Sequence, residues 1–113
     1  QILINLINNG LRYSSLSHPH AYVEVEIYSR RNDVIIDILD NGKGVKSADI
    51  EHLFEPFFTT DKAGTGLGLY LSQAFSEANQ ARLVYVPEHE KTCFRLIIPA
   101  ILTEQAIAES VDL

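Results

Sequence analysis

The sequence predicts an α/β domain: an amphipathic helix, a strand hairpin, a second helix and two closing strands. Three observations carry this expectation. Apolar residues recur at helical spacing over residues 1–12 and again after Gly68. Residues 22–28 and 34–40 alternate in polarity with a period of two, and Arg31-Asn32-Asp33 between them makes a tight turn. Residues 82–86 and 92–99 again read as strands.

At 113 residues the chain builds one core and not two. It carries no internal repeat and no linker, so residues 1–99 read as the domain. Residues 100–113, without Gly or Pro, read as a loose terminal helix or a disordered tail. The net charge of −6 argues against a nucleic-acid-binding surface. An anion such as phosphate would need a local cradle and a divalent cation to overcome that field. The single Cys93 excludes an intrachain disulfide, and no Cys/His zinc set is present. No apolar run is long enough to span a bilayer and no signal-peptide pattern is seen, so the chain reads as cytoplasmic, without membrane contact of its own.

In the first helix Ile2, Leu3, Ile4, Leu6, Ile7 and Leu11 cover one side, and Gln1, Asn5, Asn8, Asn9 and Arg12 the other. Asn5 and Asn9 lie one turn apart, about 6 Å along the axis. Asn is a poor helix former because it competes for backbone hydrogen bonds. The row is therefore either a solvated face or a set of neutral oxygen ligands for a hard cation, with Arg12 one turn on for a phosphate. Ser14 to His20 form a polar connection broken by Pro19; His18 and His20 are given no role.

In the first strand Val23, Val25 and Ile27 face one way, Glu24 and Glu26 the other. In the second, Val34, Ile36, Ile38 and Asp40 share a face, which aims Asp40 toward the core side. A buried carboxylate needs a partner. Asp40 is either a turn-former in Asp-Asn-Gly or an acceptor at the floor of a pocket, suited to a donor such as an adenine amino group. Gly42 and Gly44 would then let a flat ring lie against the backbone. Ser47 is placed to cap a short helix through Leu53, with Asp49 and Glu51 early in it.

Phe54-Glu55-Pro56-Phe57-Phe58 should place at least two of its rings in the core. Thr59 to Ala63 suits a mobile flap over a ligand, with Lys62 either reaching a terminal phosphate or simply lying on the surface. Gly64, Gly66 and Gly68 sit at the start of the second helix, where backbone N–H groups and the helix dipole favour an anion. A glycine triplet alone marks a turn as readily as a ligand site. Leu67, Leu71, Ala74, Phe75 and Ala78 form the predicted buried face of this helix, which should end near Gln80. In the last strand Thr92, Phe94, Leu96 and Ile98 share the core side, so Thr92 falls near Asp40 if the strands are neighbours. Cys93, on the other face, reads as inert.

In order, then, come an asparagine helix, an Asp-x-Gly-x-Gly turn, a Phe-rich box, a short flap and a Gly-x-Gly-x-Gly helix start. This resembles the catalytic ATP-binding domain of bacterial sensor histidine kinases. Asn5-Leu6-Ile7-Asn8-Asn9-Gly10 is similar to their N box, Asp40 to Gly44 to the G1 box, Phe54 to Thr60 to the F box and Gly64 to Leu69 to the G2 box. The match runs through nearly all of the chain to Pro99, and FEPFFTTDKAGTGLGLYLS looks most like the nitrogen-regulation class.

The fold this implies is a two-layer α/β sandwich of the Bergerat type, a mixed sheet covered on one face by helices, with ATP between helices and flap. By the same resemblance Asn9 coordinates Mg2+ with Asn5 assisting, the pair counted as catalytic. Arg12 contacts phosphate and Tyr13 packs by the adenine. Asp40 accepts from the adenine amino group with Thr92 close by, and Gly42 and Gly44 line that end. Lys62 and the backbone of Gly64, Thr65, Gly66, Leu67 and Gly68 hold the phosphates. The implied reaction is donation of the γ-phosphate to a histidine on a separate dimerisation domain. The implied parent is a homodimer anchored in the inner membrane, with a response regulator that activates sigma-54 transcription of pilin.

The departures also carry information. Gly10 replaces a common Ala, which should loosen the helix. Glu88-His89-Glu90-Lys91 stand where relatives have glycines. None of His18, His20, His52 or His89 has the context of a phosphoacceptor, and the chain begins inside the N box, an N-terminal truncation by this reading. Where hydrolytic ATPases of this fold carry a Glu base, Asn5 stands, and an amide is no base at neutral pH. Transfer is therefore expected over hydrolysis. The alternatives are a non-catalytic nucleotide-dependent binding module and, ranked below it, an anti-sigma-type serine kinase.

Overall fold

The computed structural model describes residues 1–61 and 63–100. The elements are α1 (Ile2–Ser15), β1 (Val23–Arg30), β2 (Asp33–Asp40), a 3₁₀ helix (Ser47–His52), α2 (Gly68–Ala78), β3 (Arg82–Tyr85) and β4 (Thr92–Ile98). The sheet order is β1-β2-β4-β3. α1 packs on α2 and β2, and α2 on β3, so both helices cover one face of the sheet. The expected two-layer α/β sandwich is present. The expected mixed sheet is not: among the described residues every pairing is antiparallel.

The hairpin forms as the alternation requires. Arg31 and Asn32 take φ values of 52° and 70°, the two positive-φ positions of a type I′ turn whose twist matches the strands. On the helix-facing side Ile36, Ile38, Phe94 and Leu96, where the period-two reading placed them, join Leu83, Leu6, Leu53 and Ala81 in the core. Val25 and Ile27, on β1 at the sheet edge, stay exposed.

The helices depart from their predicted faces. In α1, Leu6, Gly10 and Ser14 are buried, whereas Ile4 and Leu11 are exposed. In α2 the buried residues are Ser72 and Ser76; Leu71 and Phe75, predicted inside, are 38% and 40% exposed, and Ala74 and Ala78 are exposed too. The reason is close approach. A Cβ on Gly10 would stand 2.9 Å from Val23 Cγ2, so small residues let α1 sit down on the strands. Gly10 is therefore a packing residue as well as a weak helix former. Ser14 and Ser76 bond back to the preceding turn, Ser14 Oγ donating to Gly10 O at 2.7 Å and Ser76 Oγ to Ser72 O at 2.7 Å, while the buried Ser72 Oγ has no hydrogen-bond partner. Ser47 also differs from expectation. It lies inside the 3₁₀ helix, whose N-cap is Lys46 without a side-chain cap bond.

Two of the three phenylalanines pack. Phe54 meets Phe94 edge-on at 6.2 Å, Phe58 is half-buried, and Phe57 is 73% exposed. Phe57 N–H donates to Gly66 O at 2.8 Å, and a Cβ on Gly66 would fall 2.4 Å from the Phe57 carbonyl carbon. Gly66 also has φ +73°. Gly66→Ala is therefore expected to cost about 1–3 kcal/mol, read as a fall in Tm; an unchanged Tm would contradict this packing.

The opposite face of the sheet buries Leu39, Val86 and Cys93, with Val84 packed against them. Burial pushes the Cys93 thiol up to about 12, which fits its expected inertness. Beside it Asp37, 2% exposed, accepts from Arg95 Nε at 2.7 Å, Arg95 Nη2 at 3.1 Å and Tyr28 Oη at 2.8 Å. The predicted tail falls outside the described residues apart from Ala100.

Candidate functional site

A cleft of about 360 Å³ opens between α1, the loop after β2, the 3₁₀ helix, the start of the flap, the first turn of α2 and the first residues of β4. Its floor is Asp40, 3% exposed and in direct register with Thr92. Period-two alternation on β2 and β4 puts both side chains on the helix-facing side at the end of the sheet, where the strands stop and leave room. Asp40 Oδ1 accepts the Gly42 N–H at 2.8 Å. Burial raises the Asp40 pKa from its ordinary value, and the Gly42 N–H, then Thr92, oppose the rise. Thr92 Oγ1 is buried and completes no hydrogen bond of regular geometry, to Asp40 or to any other group. A carboxylate oxygen and an unsatisfied hydroxyl thus share one end of the cleft.

Of the predicted residues, Asn9, Tyr13, Asp40, Gly42, Gly44 and Thr92 line this cleft. Asn5 is half-buried one turn from Asn9 and outside the lining. Arg12 is also outside it: its Nε bonds Asp61 Oδ2 at 2.6 Å, while Tyr13 Oη lies 3.0 Å from Thr59 Oγ1. Gly64, Thr65, Gly66, Leu67 and Gly68 do not line it either. Their glycines have different reasons. Gly66 is required by Phe57, and a Cβ on Gly64 would lie 3.0 Å from Thr59 Oγ1, whereas at Gly68 nothing stands within 4 Å. Gly68 opens α2, whose N-cap Leu67 makes no side-chain cap bond, so the first-turn N–H groups have no capping side chain. Lys62 lies outside the described residues.

Gly42 is held tight. A Cβ there would stand 2.8 Å from Asp40 Oδ1 and 3.3 Å from Ser14 Cα, so the turn must be glycine for the carboxylate to sit under it. Gly44, at φ +77°, lies near Thr92 Oγ1 and Tyr85 Oη.

Residue-by-residue reading missed the apolar walls Leu16, Val45, Leu53, Phe58, Leu69 and Phe94, which suit a flat ring. It also passed over Lys43 and Lys46, two cations at the rim of an acidic domain. The signal for the lysines was their place in and just after the glycine turn that carries Asp40. The walls had none beyond being apolar.

Fold and cleft together define a nucleotide-type α/β domain, and comparison with known proteins specifies it. Residues 1–101 match the family described as histidine kinase-, DNA gyrase B- and HSP90-like ATPase, and the chain belongs to it. It is an ATP-binding catalytic domain of the kind found in two-component sensor kinases. Over 99 residues it is 44% identical to the sensor protein kinase PilS of Pseudomonas aeruginosa, covering 85% of this chain and 19% of that protein. It is 37% identical over 101 residues to the histidine-protein kinase AtoS of Escherichia coli, covering 88% of this chain and 16% of the other. The chain thus spans about a fifth or less of these relatives. Among solved structures, the catalytic domain of histidine kinase ThkA superposes with a TM-score of 0.74 at 25% identity, covering 88% of this chain and 64% of that one. The Acinetobacter baumannii histidine kinase AdeS gives 0.66 at 30% identity, covering 88% and 44%.

Proposed function

We propose that the chain binds Mg-ATP in this cleft and donates the γ-phosphate to a histidine on a separate dimerisation domain of the same kinase. The observation that carries the reading is the floor of the cleft, where the buried Asp40 carboxylate and the unpaired Thr92 hydroxyl face apolar walls. An adenine ring supplies an amino donor to the first and a ring nitrogen to the second. Val45, Leu53 and Phe94 exclude water from its faces. The open side of Gly68 and the uncapped start of α2 suit the phosphates.

Asn9, with Asn5 one turn back, offers neutral amide oxygens of the kind a hard cation accepts alongside phosphate oxygens. Bound there, Mg2+ would neutralise charge on the phosphates, which an acidic domain otherwise repels. Asn5 and Asn9 hold and orient, and neither takes a proton from water. No group of three or more His, Cys, Asp or Glu suited to a metal occurs among the described residues. The exposed Leu71 and Phe75 on α2 and Ile4 and Leu11 on α1 suit an apolar docking face for the phosphoacceptor helices.

The parent is read as a homodimeric, inner-membrane sensor with this domain in the cytoplasm. No helix among the described residues is long and apolar enough to cross a membrane. Its downstream partner is read as a PilR-like response regulator that activates sigma-54 transcription.

Calorimetry with ATP, with and without Mg2+, tests the pocket. Asn9→Ala is expected to remove most of the Mg2+ enhancement of ATP binding while leaving metal-free binding within about twofold. Equal Mg2+ enhancement in both proteins would contradict the Asn9 assignment. Phosphate release by the chain alone should be slow, because Asn5 is no base; rapid turnover would contradict transfer.

A further inference from the structure

The flap is tied to α1 at two adjacent residues. Arg12 Nε donates to Asp61 Oδ2 at 2.6 Å, and Tyr13 Oη meets Thr59 Oγ1 at 3.0 Å. Asp61 is also the hub of the flap's own fold. Its N–H donates to Thr59 Oγ1 at 3.0 Å, its Oδ1 accepts the Ala63 N–H at 3.0 Å and its carbonyl accepts the Gly64 N–H at 2.9 Å. The flap therefore forms a compact turn with one carboxylate oxygen turned inward to Ala63 and the other outward to Arg12. The Asp61 side chain is 15% exposed and that of Arg12 is 44% exposed.

Arg12 has one guanidinium and two claimants. Asp61 takes Arg12 through one bond, from Nε, whereas a phosphate takes Arg through paired N–H···O bonds from the same guanidinium, so the two compete for it. We propose that Asp61 is an internal competitor for the phosphate-binding arginine: a nucleoside polyphosphate engages Arg12 by displacing Asp61, and the exchange frees the flap from α1. Asp61 is thus a positioning residue that sets nucleotide affinity and couples phosphate binding to flap release. The proposal rests on the nucleotide reading of the cleft.

The test compares the wild-type chain, Asp61→Asn, Asp61→Glu and Arg12→Gln, alone and with Asp61→Asn added. ATP and adenosine affinities are measured by calorimetry, and amide hydrogen exchange over residues 59–66 is measured without nucleotide. Removing a partly exposed ion pair should tighten ATP by about threefold in Asp61→Asn. Adenosine, which lacks phosphate, should bind unchanged, and Asp61→Glu should restore wild-type behaviour. In the Arg12→Gln background the Asp61 change should have no effect on ATP. Flap exchange should be faster in both Asp61→Asn and Arg12→Gln. Equal or weaker ATP binding by Asp61→Asn, or tightening that persists without Arg12, would overturn the exchange. Unchanged flap exchange would overturn the clasp without reference to nucleotide. Failure of the wild type to bind ATP would instead overturn the nucleotide reading, and the exchange with it.

Discussion

Asp40→Asn is expected to weaken ATP binding roughly 100-fold, the cost of losing a hydrogen bond to a charged, buried acceptor. The geometry explains why so small a change matters. Asp40 Oδ1 is committed to the Gly42 N–H, so only Oδ2 remains to accept from the cleft. In Asn the second position is an NH2 group, and it would confront the adenine amino group donor to donor. Flipping the amide merely moves that conflict to Gly42. Preference for adenine over a base with an acceptor at that position should fall with affinity.

The same substitution should not destabilise the chain. Burial raises the Asp40 pKa in the folded state. A raised carboxyl binds its proton more tightly when folded, so stability is lost as pH rises from the unfolded pKa through the folded one. Asn carries no such penalty. At neutral pH its Tm should equal or exceed that of the wild type, and the gap should close below about pH 4, the ordinary carboxylate range. Calorimetry and thermal melts on one preparation check both halves. A variant that binds ATP normally, or one that unfolds at neutral pH, would contradict this account of the pocket floor.

The second large effect lies on the far face of the sheet. Arg95→Met should cost about 3–5 kcal/mol, because it leaves a buried carboxylate without its cation. Asp37 is 2% exposed, and burial alone would push its pKa up; the hydrogen bonds from Arg95 and Tyr28 and the Arg95 charge overcome that and lower it. In the wild type this stabilisation is complete above the unfolded carboxylate pKa and is lost as pH falls through the depressed folded value. In Arg95→Met the sign reverses. Burial then dominates Asp37, so the variant should regain stability as pH falls. The double change Asp37→Leu with Arg95→Met should recover most of the loss, since an apolar pair of similar volume replaces the ions. Melting curves between about pH 3 and pH 7 separate these cases. A drop in Tm under a few degrees for Arg95→Met would show that the pair is not held as tightly as its two short bonds indicate.

The sheet was largely legible because period-two alternation has a single meaning once one face is apolar. It placed Val34, Ile36, Ile38 and Asp40 inward, and Thr92 with Phe94, Leu96 and Ile98, and the observed register sets Asp40 opposite Thr92. The hairpin turn was legible for a similar reason, since Arg31-Asn32-Asp33 is short and polar. Helix faces were less so. Hydrophobic periodicity assumes that apolar residues are the buried ones, but besides Leu6 the buried positions of α1 and α2 belong to Gly10, Ser14, Ser72 and Ser76. Leu71 and Phe75 then lie outward.

Pairs remote in sequence left no local trace. Arg12 with Asp61, Tyr13 with Thr59 and Asp37 with Arg95 are separated by 49, 46 and 58 residues, and only the fold brings them together. For the same reason a residue read as a phosphate ligand, Arg12, stands at the flap instead of in the cleft, and Gly66 answers to Phe57.

The fate of the γ-phosphate separates transfer from hydrolysis. The decisive measurement supplies the chain with Mg2+, γ-labelled ATP and a separately expressed phosphoacceptor hairpin, then follows label on the hairpin histidine and in free phosphate. Label is expected on the histidine, dependent on Asp40 and Asn9, with little free phosphate. Label appearing only as free phosphate, or ATP bound tightly with no transfer to any acceptor histidine, would contradict transfer.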